Sequence, residues 1–135
     1  MKPAFADTSY YLAYLNPDDV CHSRAVELSQ VLRRRVVVSE FVLLEVANAL
    51  SRAADRGVFA ALLRELRADR GTTILAASAE LFDRGCQLHS RMKDKDWSLT
   101  DCISFVIMRE GGLNEALTAD HHFEQAGFVA MLRGS

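Results

Sequence analysis

Three consecutive β-branched residues, Val36-Val37-Val38, stand between two stretches whose apolar residues recur at helical spacing. A short unbroken apolar run of this kind, fenced by helices, reads as a strand covered on both faces, and that belongs to a parallel sheet with helical crossovers. The same alternation runs through the chain. Strands are expected at about residues 3–7, at Thr72-Thr73-Ile74-Leu75, at 116–119 and, as an edge, at Phe128-Val129. Helices are expected through Tyr10 to Leu15, stopped by Asn16-Pro17; over about 19–34; over 40–55, with Ser39 as its cap; and, after a break at Gly57, over 59–69, closed by Gly71. Others follow at 78–91, at 98–110 before Gly111-Gly112, and at 123–126. The pattern predicts one α/β domain over residues 1–135: a central, mostly parallel sheet of four to five strands with helices on both faces. A chain of 135 residues, half of them apolar, can bury such a core without disulfides or metals as staples.

Against this apolar background four acids are out of place. Asp7 ends the run Pro3-Ala4-Phe5-Ala6, and Asp120 ends Ala116-Leu117-Thr118-Ala119, so both stand at the carboxyl end of a strand, where open α/β sheets bind ligands. Glu45 interrupts Phe41-Val42-Leu43-Leu44 and Val46-Ala47 in mid-helix, and Asp101 precedes the apolar run Cys102 to Met108. Each has a plainer reading. Asp7 and Asp120 suit helix N-caps, Asp101 completes a Ser98-Leu-Thr-Asp101 capping box, and Glu45 fits a buried pair with an arginine. A carboxylate fixed in the first turn of a helix is also preorganised as a metal ligand, so the readings are compatible. Right-handed crossovers gather the strand ends and helix starts on one edge of the sheet, and several carboxylates converging without basic partners need a cation. All-oxygen ligation suits Mg²⁺ or Mn²⁺. Thr8, Ser9, Ser98 and Asn48 are placed to orient those ligands or a substrate.

Composition narrows the rest. The net charge of −2 carries no basic footprint of its own, but thirteen of the sixteen basic residues are arginine, with clusters at Arg33-Arg34-Arg35, at Arg64, Arg67 and Arg70, and at Arg91, Lys93 and Lys95. Such clusters suit phosphate and equally suit solvated helix faces. Three scattered cysteines fit neither a disulfide framework nor a zinc site. No apolar stretch reaches membrane-spanning length, and a strand-like run follows Lys2 directly, so a soluble cytoplasmic protein is expected. His121-His122 invite a zinc or base role but read as loop-surface residues. Trp97, in a charged loop, suits either RNA stacking or a solvated turn. Tyr10, Tyr11 and Tyr14 divide between core and a partner surface, since helical spacing cannot place all three inside.

Asp7-Thr8-Ser9, Glu45 with Asn48, Ser98-Leu-Thr-Asp101-Cys-Ile-Ser-Phe105, and Thr118-Ala-Asp120-His-His-Phe123 with Gly127-Phe128 together resemble the motifs of PIN-domain ribonucleases, specifically VapC-type toxins, over nearly the whole chain. The resemblance implies a three-layer PIN-like sandwich. It also implies an acidic quartet of Asp7, Glu45, Asp101 and Asp120 holding Mg²⁺ or Mn²⁺, and endonucleolytic cleavage of RNA. A homodimer and silencing by a cognate antitoxin are implied as well.

Two other functions fit an α/β domain with acids at its strand ends. A haloacid-type phosphotransfer site needs a second aspartate two residues after the first, where Ser9 stands; a receiver needs a lysine after a late strand, and none follows. The remaining alternative is a non-catalytic module of the same fold that binds RNA or a protein partner.

Overall fold

A computed structural model describes residues 1–133. In chain order the elements are β1 (Ala4–Ala6), α1 (Thr8–Leu15), α2 (His22–Val31), β2 (Val36–Ser39), α3 (Glu40–Ala49), a 3₁₀ turn (Ala53–Asp55), α4 (Arg56–Ala68), β3 (Thr72–Leu75), α5 (Ala79–Arg91), α6 (Leu99–Gly111), β4 (Glu115–Leu117), α7 (His121–Gln125) and β5 (Val129–Ala130). The strands form one five-stranded sheet in the order β3-β2-β1-β4-β5, and every neighbouring pair is parallel. Phe5 stands opposite Val37 on one side and Ala116 on the other.

This order has a reversal point. From β1 the chain moves outward to β2 and β3, then returns to β4 on the other side of β1 and continues to β5. The crevice of such a sheet opens at the carboxyl ends of the two strands where the direction switches, here β1 and β4. Asp7 follows β1 directly, and its backbone N–H donates to the carbonyl of Leu117 at the end of β4 (3.1 Å).

Beneath that crevice lies an aromatic cluster. Phe105 packs edge-on against Trp97 and Phe123, ring centroids 4.9 Å apart in each case, and Phe123 stacks on Phe5 at 6.5 Å. Phe5, Phe105 and Phe123 are wholly buried. Helices α5 and α6 approach closely enough that a Cβ on Gly85 would lie 2.3 Å from Ile103 Cγ1, so only glycine fits there. The end of α6 is set by Gly112, whose φ of 66° is left-handed. No helix among the described residues is long and apolar enough to cross a membrane.

Several boundaries differ from the sequence expectation for local reasons. The helix expected over 40–55 ends at Ala49, where the Ser51 hydroxyl donates to the Ala47 carbonyl and competes with helix continuation. Gly57 breaks nothing: it sits inside the first turn of α4, with nothing within 4 Å of where its Cβ would be. Asp19 turns the chain before α2 by accepting from the Cys21 N–H, so that helix starts at His22. Val36 and Val37 are half-buried and not fully enclosed, because β2 begins beside an open cavity lined by Val36, Leu32, Leu62 and Tyr11.

Candidate active site

Asp7, Glu45, Asp101 and Asp120 line one cavity of about 320 Å³, together with Thr8, Ser9, Leu12, Asp96, Ser98 and His122. Four different elements deliver them. Asp7 is the residue between β1 and α1, Glu45 lies within α3, Asp101 in the first turn of α6, and Asp120 immediately before α7. Among the described residues none of the four pairs with a lysine or arginine; the only nitrogen side chains paired with them are the imidazoles of His121 and His122. The arginine expected as an alternative partner for Glu45 is not there.

Each carboxylate is held by a neighbour. Asp7 is buried, yet its side chain makes no capping bond to α1; instead Oδ2 accepts from the hydroxyls of Thr118 (2.8 Å) and Ser9 (3.2 Å). The Thr118 hydroxyl in turn accepts from the Asp120 N–H (3.0 Å), and the Ser9 hydroxyl accepts from the Ala119 N–H (2.9 Å). Two hydroxyls, Thr118 buried and Ser9 half-buried, therefore tie the end of β1 to the end of β4. Glu45 Oε1 accepts from Thr8 Oγ1 at 2.6 Å. Its surroundings are less apolar than the sequence suggests: Glu45 is half-buried and the adjacent Leu44 faces solvent. Asp101 forms the expected capping box with Ser98. Asp120 caps α7 by accepting from the His122 N–H (2.9 Å).

Burial raises the Asp7 carboxyl to about 6, assisted by the Asp101 charge and opposed by the Thr118 and Ser9 hydrogen bonds. The Asp101 carboxyl is also raised, chiefly by burial and secondarily by Asp120, against the hydrogen bond from His122. Desolvation thus outweighs mutual repulsion as the cause. Buried carboxylates that resist ionisation and face no lysine or arginine are the donor set a hard divalent cation satisfies, so the residues present fit Mg²⁺ or Mn²⁺. The neighbouring Cys102 thiol is pushed up to about 11 by burial and by Asp101, which removes it from consideration as a nucleophile.

The lower-ranked residues divide. Thr8, Ser9 and Ser98 line the cavity, whereas Asn48 is exposed on α3 outside it. Three residues escape the sequence reading. Thr118, fully buried, links Asp7 to Asp120, and a hydroxyl at a strand end next to an acid was the available signal. Asp96 adds a fifth carboxylate to the lining. His122 is not a loop-surface residue: half-buried in α7, it places Nδ1 2.9 Å from Asp101 Oδ2, a contact across twenty-one positions that no local pattern reveals. Trp97 is neither an RNA-stacking platform nor solvated; it is buried on Phe105 and donates to Gln125 Oε1 (2.9 Å). Of the Arg33-Arg34-Arg35 cluster, Arg34 is turned inward and pairs with Glu115 (2.6 Å). Tyr10 and Tyr11 are buried and Tyr14 is partly exposed; all three border a separate cavity of about 480 Å³ that contains none of the quartet.

Known proteins resemble this chain over nearly its whole length. The PIN domain family matches residues 4–129. The 23S rRNA-specific endonuclease VapC20 of Mycobacterium tuberculosis is 30% identical over 126 residues, covering 93% of this chain and 95% of that protein. The crystal structure of VapC20, described as a sarcin-ricin loop cleaving toxin, superposes with a TM-score of 0.85 at 28% identity, covering 93% of this chain and 96% of that one. FitAcB from Neisseria gonorrhoeae shares the fold at a TM-score of 0.68 and 19% identity over 94% of each chain. So does VapBC2 from Rickettsia felis, solved bound to a DNA fragment from their promoter, at 0.66 and 14% identity over 94% of this chain and 96% of that one.

Proposed function

Since the chain belongs to the PIN-domain family, as a ribonuclease toxin of the VapC type, we propose that it is a single PIN domain that cuts RNA with a divalent ion held by Asp7, Glu45, Asp101 and Asp120. The observation that carries this reading is the convergence of four carboxylates, from four elements, on one cavity that holds no lysine or arginine partner for them. Bound Mg²⁺ or Mn²⁺ supplies Lewis acidity at the phosphate and lowers the pKa of a water toward neutrality. The chain's own residues do the positioning. Thr8 orients Glu45, the Ser9 and Thr118 hydroxyls orient Asp7, and the Ser98 capping box fixes the Asp101 rotamer. Water is the attacking group, so cleavage leaves a 5′-phosphate and a 3′-hydroxyl; a cyclic phosphate product would exclude it.

The substrate inferred from the VapC20 relative is 23S ribosomal RNA at the sarcin-ricin loop. By family, the active form is a cytoplasmic homodimer, and a cognate antitoxin silences it. Sequencing of cellular RNA 5′ ends after brief expression of the wild type and of Asp7→Asn tests substrate and activity together. New ends in ribosomal RNA that appear only with the wild type are the expected result; identical ends in both would refute a metal-dependent cut at this site.

A further inference from the structure

Consecutive residues on a helix normally point about 100° apart. His121 and His122 do not behave that way: their ring centroids lie 4.5 Å apart, and both Nδ1 atoms turn toward Asp120 Oδ1, at 3.8 Å and 3.4 Å respectively. Ligand atoms of Asp120, His121 and His122 all fall within 4.8 Å of one another. Asp101 Oδ2 stands outside that mutually close set but lies 2.9 Å from His122 Nδ1. These separations bracket the edge of a tetrahedron built on metal–ligand bonds of about 2.0–2.1 Å, which is roughly 3.4 Å.

We propose that Asp101, Asp120, His121 and His122 form a mixed nitrogen and oxygen site for a transition divalent ion, Zn²⁺ foremost, beside the all-oxygen position completed by Asp7 and Glu45. The proposal shares two acids with the function given above and does not depend on the reaction. Imidazole nitrogen discriminates against Mg²⁺ and favours ions late in the Irving–Williams order, so Zn²⁺ outranks Mn²⁺ and Mg²⁺ here. His122 Nδ1 cannot both donate to Asp101 and ligate the ion; in the bound form its proton resides on Nε2 and the Asp101 oxygen becomes a co-ligand. His121 is exposed, which leaves the ion a route from solvent. Zn²⁺ seated there takes two of the four carboxylates away from Mg²⁺, so it competes with the ion that supports cleavage.

The test is calorimetric titration of Zn²⁺, and separately Mg²⁺, into the metal-free full chain at neutral pH, with Co²⁺ absorption reporting nitrogen ligation. Wild type should bind Zn²⁺ far more tightly than Mg²⁺. The double variant His121→Ala/His122→Asn should lose more than the roughly 10–100-fold that removing an outer partner costs. Glu45→Gln, outside the four ligands, should weaken Zn²⁺ no more than about fivefold, the effect of one charge felt across solvent. His121→Ala alone, at an exposed position that leaves the fold intact, should already weaken Zn²⁺ measurably and dim the Co²⁺ bands. Equal Zn²⁺ affinity in wild type and both histidine variants overturns the proposal, as does a Glu45→Gln loss matching theirs. If RNA cleavage fails while the histidine-dependent Zn²⁺ site survives, the ribonuclease reading falls and this one stands.

Discussion

The two ends of the sheet bury charge in opposite ways. At the amino end, where β2 and β4 begin, Arg34 is turned inward with a side chain only 8% exposed, and Glu115 meets it at 2.6 Å. At the carboxyl end, Asp7 and Asp101 are similarly enclosed but face other acids, with hydroxyls, backbone amides and one imidazole as their partners. The first arrangement neutralises its charge and the second accumulates it. A fold that can close one end with an ion pair has no structural need to gather carboxylates at the other, and charge accumulated at such a cost is the mark of a functional site.

The widest gap between the ends should appear in catalysis. Asp7→Asn or Asp101→Asn is expected to lower metal-supported RNA cleavage by at least about 10²–10³-fold, the scale on which removing one preorganised charge-stabilising group acts. Arg34→Met should leave the specific activity of folded protein unchanged. Chelation with EDTA should abolish cleavage by the wild type and be reversed by adding back Mg²⁺ or Mn²⁺. Next is the pH response of the metal-free protein. The folded state binds the Asp7 proton more tightly than the unfolded chain does, with a pKa raised from 3.8 to about 6, so stability falls as pH rises from about 4 to 6 and levels off above. That difference amounts to about 3 kcal/mol. Urea melts of wild type and Asp7→Asn should show it: the variant gains on the wild type at pH 7 and the two converge near pH 4. With metal present the sign reverses, because protons and the cation compete for the same oxygens and cleavage should decline below about pH 6.

Smaller effects sharpen the contrast further. Arg34→Ala should cost about 1–3 kcal/mol in a thermal melt, through lost packing and a partnerless carboxylate, moderated by the partial exposure of Glu115. Ser98→Ala should cost about 1 kcal/mol as a lost helix cap. It should also reduce cleavage out of proportion to that stability loss, because the cap positions Asp101.

Local chemistry explains what was readable in advance. Thr72–Leu75 was legible to the residue because its run of strand-favouring residues, three of them β-branched, is bounded by Gly71 and the Ser78 cap, and the capping box at Ser98 and Asp101 is a four-residue pattern that the fold reproduces. Asp7, Glu45 and Asp120 were legible as acids in the wrong surroundings. Their meeting in one place followed from the handedness of the crossovers. Individual side-chain contacts between remote segments were not readable: the inward turn of Arg34 toward Glu115, Trp97 under Gln125, and the reach of His122 to Asp101. Helix ends were misplaced where a single polar side chain, Ser51 or Asp19, redirects the backbone, since the apolar period runs on past the point where the hydrogen bonds stop.

One carboxylate shows how little this centre leaves to chance. Both hydrogen bonds that Asp101 receives, from the Ser98 N–H and from His122 Nδ1, fall on Oδ2, while Oδ1 carries none among the described residues. A single side chain therefore works as anchor through one oxygen and as open hand through the other. Any substitution that keeps the anchor and fills the hand should yield a well-folded but inert protein, the form in which a harmful enzyme is easiest to produce, crystallise and use as bait.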